Sequence, residues 1–599
     1  MQKRSPSTTP GTDAALTALI GAAAVLIAYG SAAWATANTA AWLAGTRTAG
    51  FSPVTAALHP SVLWPRLTPT TRLLTAQVLP AVLVLALAAL GLHMWLGRRP
   101  TTTGLAGPRE LAALLPAQIT AKARDLRPSL ARAKHIAPDD SGVLLGSLGG
   151  RTEVRSSWED VLLAIMAPRS GKTTSLAIPA ILRAPGPVLL TSNKAARDAY
   201  TSTLEARAEV GRVWTMDPQQ IAHAPQAMWW DILADAQDLG GARRLAGHFV
   251  AASVDEGNSG DFWSTAAQNT LCALFLAAAR DGRPITDVLG WLAQPADRTP
   301  VDLLKSAGLL AVADQLQGTV SGAVETRDGI YETARQYASC LLDPDIAAWV
   351  SPQEHLPEFR PADFVTVRDT LYLLSKDGGG SASALIAAAA DAVMRTAVVQ
   401  AERDGGRLDP PCLAILDEAA NVCKIGDLPD LYSHLGSRGV IPITILQSYR
   451  QGQCVWGEAG MDAMWSASTI KLVGSGIDDA DFADKLSRLV GEHDVETVSH
   501  STSESGRSSS TSLRQERILP TDAIRALRKG SALLLATGIR PALLELKPWY
   551  LEPGADQVGA ASVRQTTAIT ERALAKAKAA APRPRDAPLA LDPETGWLL

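Results

Sequence analysis

Apolar runs of two lengths divide this chain. Ala14 to Ala37 and Leu73 to Leu96 are long runs broken only by small or weakly polar residues. Each is long enough to cross a hydrocarbon core of about 30 Å at about 1.5 Å per helical residue. They predict two transmembrane helices, about 14-37 and 73-96, in a membrane anchor over 1-99. From residue 141 the apolar runs are short. "SGVLLGSLGG", "DVLLAIMA", "PVLLTS", "RVWTMD", "TLYLLS", "CLAILDE", "PITILQS" and "TIKLVGS" read as strands, with amphipathic helices such as Ala382 to Glu402 between most of them. Strands apolar throughout, alternating with helices, predict an α/β fold with a parallel sheet covered on both faces. One interval breaks the rhythm. Residues 229-352 show almost no strand and many helical segments, such as "FWSTAAQNTLCALFLAAAR", and read as an inserted all-α domain. The sheet domain then comprises 141-228 and 353-553. Residues 100-140 read as a linker. "SHSTSESGRSSSTS" reads as a flexible hairpin tip, and 554-599 as a disordered, basic Ala/Pro-rich tail.

Charge and cysteine content change this picture little. The chain has 599 residues and a net charge of -4, so it is no bulk polycation and any nucleic-acid contact must be local. Its five cysteines form no C-x-x-C pair and fit a reducing compartment better than a disulfide frame or zinc site. Lys3 and Arg4 precede the first long run, and Arg98, Arg99 and Arg109 follow the second. The loop between holds Arg47, Arg66 and Arg72. This bias predicts a multi-pass protein of the cell membrane with its globular part in the cytoplasm. The rival reading makes the first run a signal peptide cleaved near "SAAWATA".

The candidate chemistry lies where two strands end. "APRSGKTT" follows "DVLLAIM" and opens a helical segment, which is the strand–loop–helix context of a P-loop. Backbone N–H groups from Arg169, Ser170, Gly171, Lys172, Thr173 and Thr174 face phosphates in such a loop, Lys172 bridges the outer phosphates, and the Thr173 hydroxyl ligates Mg²⁺. Met166 stands where the pattern has its first glycine. Ordinary backbone angles there tolerate a side chain, and Met166→Gly is expected to keep or raise turnover. "CLAILDEAAN" supplies the partner: Asp417 to hold Mg²⁺ and Glu418 to polarise the attacking water. An acidic pair at a helix start is the bland alternative. Gln447, ending "PITILQ", is placed to sense a γ-phosphate, and Arg438 in "GSRGV" to serve a neighbouring subunit as an arginine finger. Satisfied turn residues are the alternative for both.

The ordered set "APRSGKT", "DFWSTAAQNTL", "LDEAANV", "GSRGV", "LQSYRQ" and "LVGEHD", behind two apolar spans, resembles the TraG/TraD family of type IV secretion coupling proteins, above all its actinobacterial members. The resemblance extends to about residue 550. It implies a RecA-like ATPase at the inner membrane that binds ATP and Mg²⁺ and assembles as a homohexamer. It also implies that the protein recruits DNA, single-stranded with its relaxase, and passes it to secretion-channel proteins. The helical insert becomes the substrate-recognition domain. Met166 departs from the family glycine. Two other functions stay open on the residues alone. One is an FtsK-like septal DNA translocase, against which the low-complexity tail counts. The other is a nucleotide-gated receptor with little hydrolysis, which Met166 motivates.

Overall fold

The computed structural model describes residues 11–87, 104–253, 262–376, 382–503 and 506–580. It divides into two compact units, Met1–Thr101 and Thr102–Leu599. In the first, the helix Gly11–Leu43 packs Ala33, Ala37 and Ala41 against Ala56, Trp64 and Ala76. The spacing of four residues puts the three alanines on one face. The connection to the next apolar run is short helices rather than open loop, fixed by Trp64 Nε1 donating to Asn38 Oδ1 at 2.8 Å. Residues Pro69–Leu87 are long and apolar enough to cross a membrane, and Leu73, Leu79, Val82, Leu85 and Leu87 on them are exposed. The end of the expected second span, 88-96, lies outside the described residues. The helix Ser383–Arg403 is also long and apolar, but it is mostly buried in the second unit.

The second unit is built on one sheet of eleven strands. In chain order these are β1 Val143–Leu148, β2 Thr152–Ser156, β3 Leu162–Ile165, β4 Val188–Ser192, β5 Val213–Met216, β6 Thr370–Leu374, β7 Cys412–Asp417, β8 Val440–Leu446, β9 Ile470–Gly474, then β12 Ser531–Ala536 and β13 Ala542–Glu545. β10 Glu492–Ser503 and β11 Gly506–Arg517 pair apart as a long hairpin. The sheet order is β2-β1-β13-β12-β9-β3-β8-β7-β4-β6-β5. From β9 to β5 every pairing is parallel; from β9 to β2 every one is antiparallel. β3, β4, β6, β7 and β8 are buried along their whole length, as helices on both faces require.

The eight strands expected from the apolar runs all form. The antiparallel wing of β2, β12 and β13 is an addition. Between β5 and β6 the described elements are helices, from Leu239–Ser253 to the turn ending at Val350, and the two ends of this insert meet where Trp229 pairs with Glu358. Its core is not separate. Leu245, Phe249, Phe275 and Leu292 share one continuous apolar cluster with Leu163, Ile165 and Val473 of the sheet.

Two expectations are corrected. Residues 104-140 are not a linker: Ile119 of the helix Pro116–Leu126 is buried in the sheet core, and Arg127 pairs with Asp140 and Asp409 at 3.0 Å. The beginning of the tail is not disordered, because Ala555–Ala580 is a helix docked on the helix Ala199–Ala208. An alanine-rich sequence has high helix propensity, and Ala561 and Ile569 supply buried contacts. Residues 581-599 lie outside the described part.

Candidate functional site

Parallel pairing brings the C-terminal ends of β3, β8, β7 and β4 to one edge. Open α/β sheets bind ligands at that edge. The loop after β3 turns at Arg169, which has φ 63°, and at Gly171, with φ 100°. Glycine takes the second conformation freely, whereas arginine in the left-handed region is uncommon. A helix begins at Lys172, and its opening turn, Thr173–Ala177, is of the wide π type, which is uncommon and often found at functional sites. Its first N–H groups have no partner within the helix. Ser170 Oγ is buried without a hydrogen-bond partner. Together these make a cradle that fits a phosphate.

Lys172 is buried between two carboxylates, with Nζ 3.1 Å from Asp417 Oδ1 and 3.1 Å from Glu418 Oε1. Thr173 Oγ1 donates to Asp417 Oδ2 at 3.4 Å. Burial opposes charge on all three ionisable groups. At Lys172 the two carboxylates outweigh it and hold the ammonium above its usual range. At Glu418 burial is outweighed by Lys172 and then Lys194, so the carboxyl lies low. Asp417, wholly buried with Glu418 next to it, lies above the usual carboxylate range despite Lys172. Glu418 itself leaves β7 in the left-handed conformation, φ 55° and ψ 41°.

Lys172, Thr173, Asp417 and Glu418 are thus assembled, with Ser170, Gly171 and Thr174 in the same loop; Thr174 Oγ1 donates to the Gly171 carbonyl at 3.2 Å. Arg169 is exposed at the turn. Gln447 follows β8, between the phosphate-loop strand and the Asp417 strand. Its side chain lines a cavity of about 440 Å³ with Ala167, Pro168 and Asp479, and its N–H donates to Gln451 Oε1 at 3.2 Å. Gln451 Nε2 in turn donates to Asn421 Oδ1 at 2.6 Å.

Arg438 is not brought to this edge. It precedes β8, whose Ile445 is the residue opposite Asp417. At about 3.3 Å per residue it stands roughly 20 Å down the strand, paired with Glu402 at 3.4 Å. Within one chain it has no reach to the phosphate loop.

The structure adds three residues absent from the sequence reading, all on the loop after β4. The Asn193 amide donates to Glu418 Oε2. Lys194 Nζ lies 3.7 Å from Glu418 Oε1. Asp198 caps the helix Ala199–Ala208 by accepting from the Ala199 N–H at 2.9 Å, and burial and then the Asp417 charge push its carboxyl up to about 6. "TSNKAARD" follows an apolar strand, and nothing local shows which strand lies beside it.

Fold and site define a RecA-like α/β architecture with a P-loop-type phosphate loop. Residues 411–529 match the family described as the TraM recognition site of TraD and TraG. Among solved structures, the chain resembles the bacterial conjugative coupling protein TrwBdeltaN70 in its unbound monoclinic form, at 17% identity and a TM-score of 0.51, over 72% of this chain and 93% of that one. The plasmid coupling protein TrwB in complex with ADP and Mg²⁺ matches at 16% identity and a TM-score of 0.50, over 71% of this chain and 93% of that one. Its complex with the GTP analogue GDPNP matches at 16% and 0.50, over 72% and 94%. Comparison with curated proteins gave no match. Residues 411–529 thus match a TraD and TraG family model, and the fold resembles that of conjugative coupling proteins.

Proposed function

We propose that this protein is a membrane-anchored ATPase that couples nucleotide hydrolysis to the transfer of DNA–protein substrates through a conjugation channel. The observation that carries it is the Lys172–Asp417–Glu418 cluster at the phosphate-loop turn. Matching structures that hold nucleotide support the same reading. Bound Mg²⁺, held by Thr173 and Asp417, would supply positive charge to a triphosphate. Lys172 binds the outer phosphates. Glu418 accepts the proton of the attacking water, and Gln447 senses the phosphate from the neighbouring strand end. The receptor alternative loses its motive, because Met166 is packed in the core and its backbone is not left-handed.

The apolar helix at Pro69–Leu87 and the exposed side chains along it support a membrane anchor. Two spans with the ATPase in the cytoplasm suit the basic flanks. The arrangement we propose is a homohexamer in which Arg438 releases Glu402 and meets a neighbour's site. The segment 411–529 then receives an accessory partner, as the TraM recognition site does in TraD and TraG.

The test is turnover and nucleotide binding by the full chain in detergent or nanodiscs. Lys172→Ala is expected to weaken nucleotide binding. Glu418→Gln is expected to keep binding and lower turnover at least about 100-fold, since general-base action contributes that much. Normal turnover in Glu418→Gln removes that residue from the chemistry.

A further inference from the structure

We propose that Asn193 is a positioning residue for Glu418, holding one carboxylate oxygen so that the other faces the phosphate loop. The inference rests on the ATPase reading above and names what aims its base.

β4 and β7 pair in parallel with Thr191 opposite Leu416, which places Asn193 level with Glu418. Thr191 Oγ1 donates to the Asp417 carbonyl at 3.2 Å and ties the two strand ends together. Beyond them, Ser192 Oγ bonds the Lys194 N–H and carbonyl, both at 3.1 Å, and fixes the turn that carries Asn193. The left-handed conformation of Glu418 is unfavourable for a residue with a Cβ and persists only where the surroundings hold it.

The two oxygens of Glu418 have different donors. Oε1 faces Lys172 at 3.1 Å, with Lys194 at 3.7 Å; Oε2 accepts from Asn193. These donors differ in what competes for them. Lys172 lies at the opening of the phosphate-loop helix, where an arriving phosphate attracts it. Asn193 is a neutral amide on a strand end, and a phosphate draws it less. When Lys172 turns to a phosphate, Oε1 loses its nearer cation and keeps only the more distant Lys194, while Oε2 stays held. Oε1 is the oxygen that faced the phosphate loop, so it meets a water there. Without Asn193, Oε2 loses this donor, and Asn421 and Lys194 are left to orient the carboxylate.

The experiment follows turnover against ATP concentration for the full chain and for Asn193→Ala, Asn193→Asp, Glu418→Gln and the Asn193→Ala/Glu418→Gln double variant, with ADP binding alongside. A hydrogen bond to a charged group is worth about tenfold to a hundredfold in rate when lost from the transition state. Asn193→Ala is therefore expected to lower kcat by about that factor, with KM and ADP affinity within about twofold. Asn193→Asp has the same size, cannot donate when ionised and repels Glu418, so its loss is at least as large. In the Glu418→Gln background, Asn193→Ala is expected to change the residual turnover less than about twofold, because it acts through that carboxylate. Unchanged or raised kcat in Asn193→Ala overturns the proposal. So does an equal loss in both backgrounds, or loss of ADP binding in both Asn193 variants, which marks a structural residue. A wild-type chain without turnover overturns the ATPase reading and this inference with it.

Discussion

Met166 is wholly buried, its N–H donates to the Leu446 carbonyl at 2.9 Å, and a Cβ placed on Gly474 would lie 2.9 Å from its side chain. The methionine directly after β3 and the glycine ending β9 are therefore complementary. Restoring the pattern glycine empties a filled space, and Met166→Gly is expected to cost about 2–5 kcal/mol in denaturant unfolding. That cost in stability is separate from turnover, which the pattern alone expects to be kept or raised. Asp198 has a second consequence. Its folded pKa of about 6 exceeds the ordinary value of 3.8. Between those values the folded chain holds more protons than the unfolded one, so stability falls as pH rises through that window. Asp198→Asn keeps a cap oxygen and cannot ionise. It is expected to flatten the slope, gaining up to about 3 kcal/mol over wild type at pH 7 relative to pH 4, read from urea midpoints at the two pH values. Lys172, Thr173, Asp417 and Glu418 were legible because each belongs to a short segment whose spacing fixes local geometry. Asn193 and Asp198 were not, because their role depends on β4 lying beside β7, a pairing between residues more than 200 positions apart. Arg438 was legible as a turn residue, but its end of the strand was not.

Among the elements, the parallel strands could be read because burial on both faces leaves continuous apolar runs. β2, "TEVRS", and β13, "ALLE", carry polar residues and are shorter or edge-placed, so their apolar pattern is weak. The helix Ala555–Ala580 was missed because its alanines and basic residues resemble a solvated tail, and only its partners reveal a docked face. Gln565 donates to Glu205 at 2.9 Å, Arg564 pairs with the same carboxylate, Ser562 bonds Ser202 at 3.2 Å, and Thr566 Oγ1 accepts from the Arg197 N–H at 3.3 Å. The last contact reaches the loop that carries Asn193. A chain ending at residue 554 is expected to lose a few degrees of Tm. In hydrogen-exchange mass spectrometry it should show faster exchange over 195–207, with β3 and β7 unchanged. Protection over 195–207 equal to wild type would make the helix a passive appendage.

For the whole molecule, the position of Arg438 makes assembly testable. Its pair with Glu402 is partly exposed, so Arg438→Ala is expected to change stability by less than about 1 kcal/mol. A trans arginine is worth about 10³–10⁵ in rate in other NTPases. The variant should therefore lose the part of turnover that rises with protein concentration while keeping nucleotide binding. Turnover per subunit that is flat with concentration in both proteins would leave Arg438 a structural residue. The sheet order also sets a timetable. β1 pairs with β13, Ser147 opposite Glu545, so the ribosome must add nearly 400 residues between the two partners. At roughly 5–20 residues per second that is on the order of 20–80 s. For that interval β1 has only β2 beside it, and its other edge is open to pairing with another chain. The nascent chain thus completes its N-terminal unit long before it can close its sheet, and any stop codon upstream of β13 leaves that edge open for good.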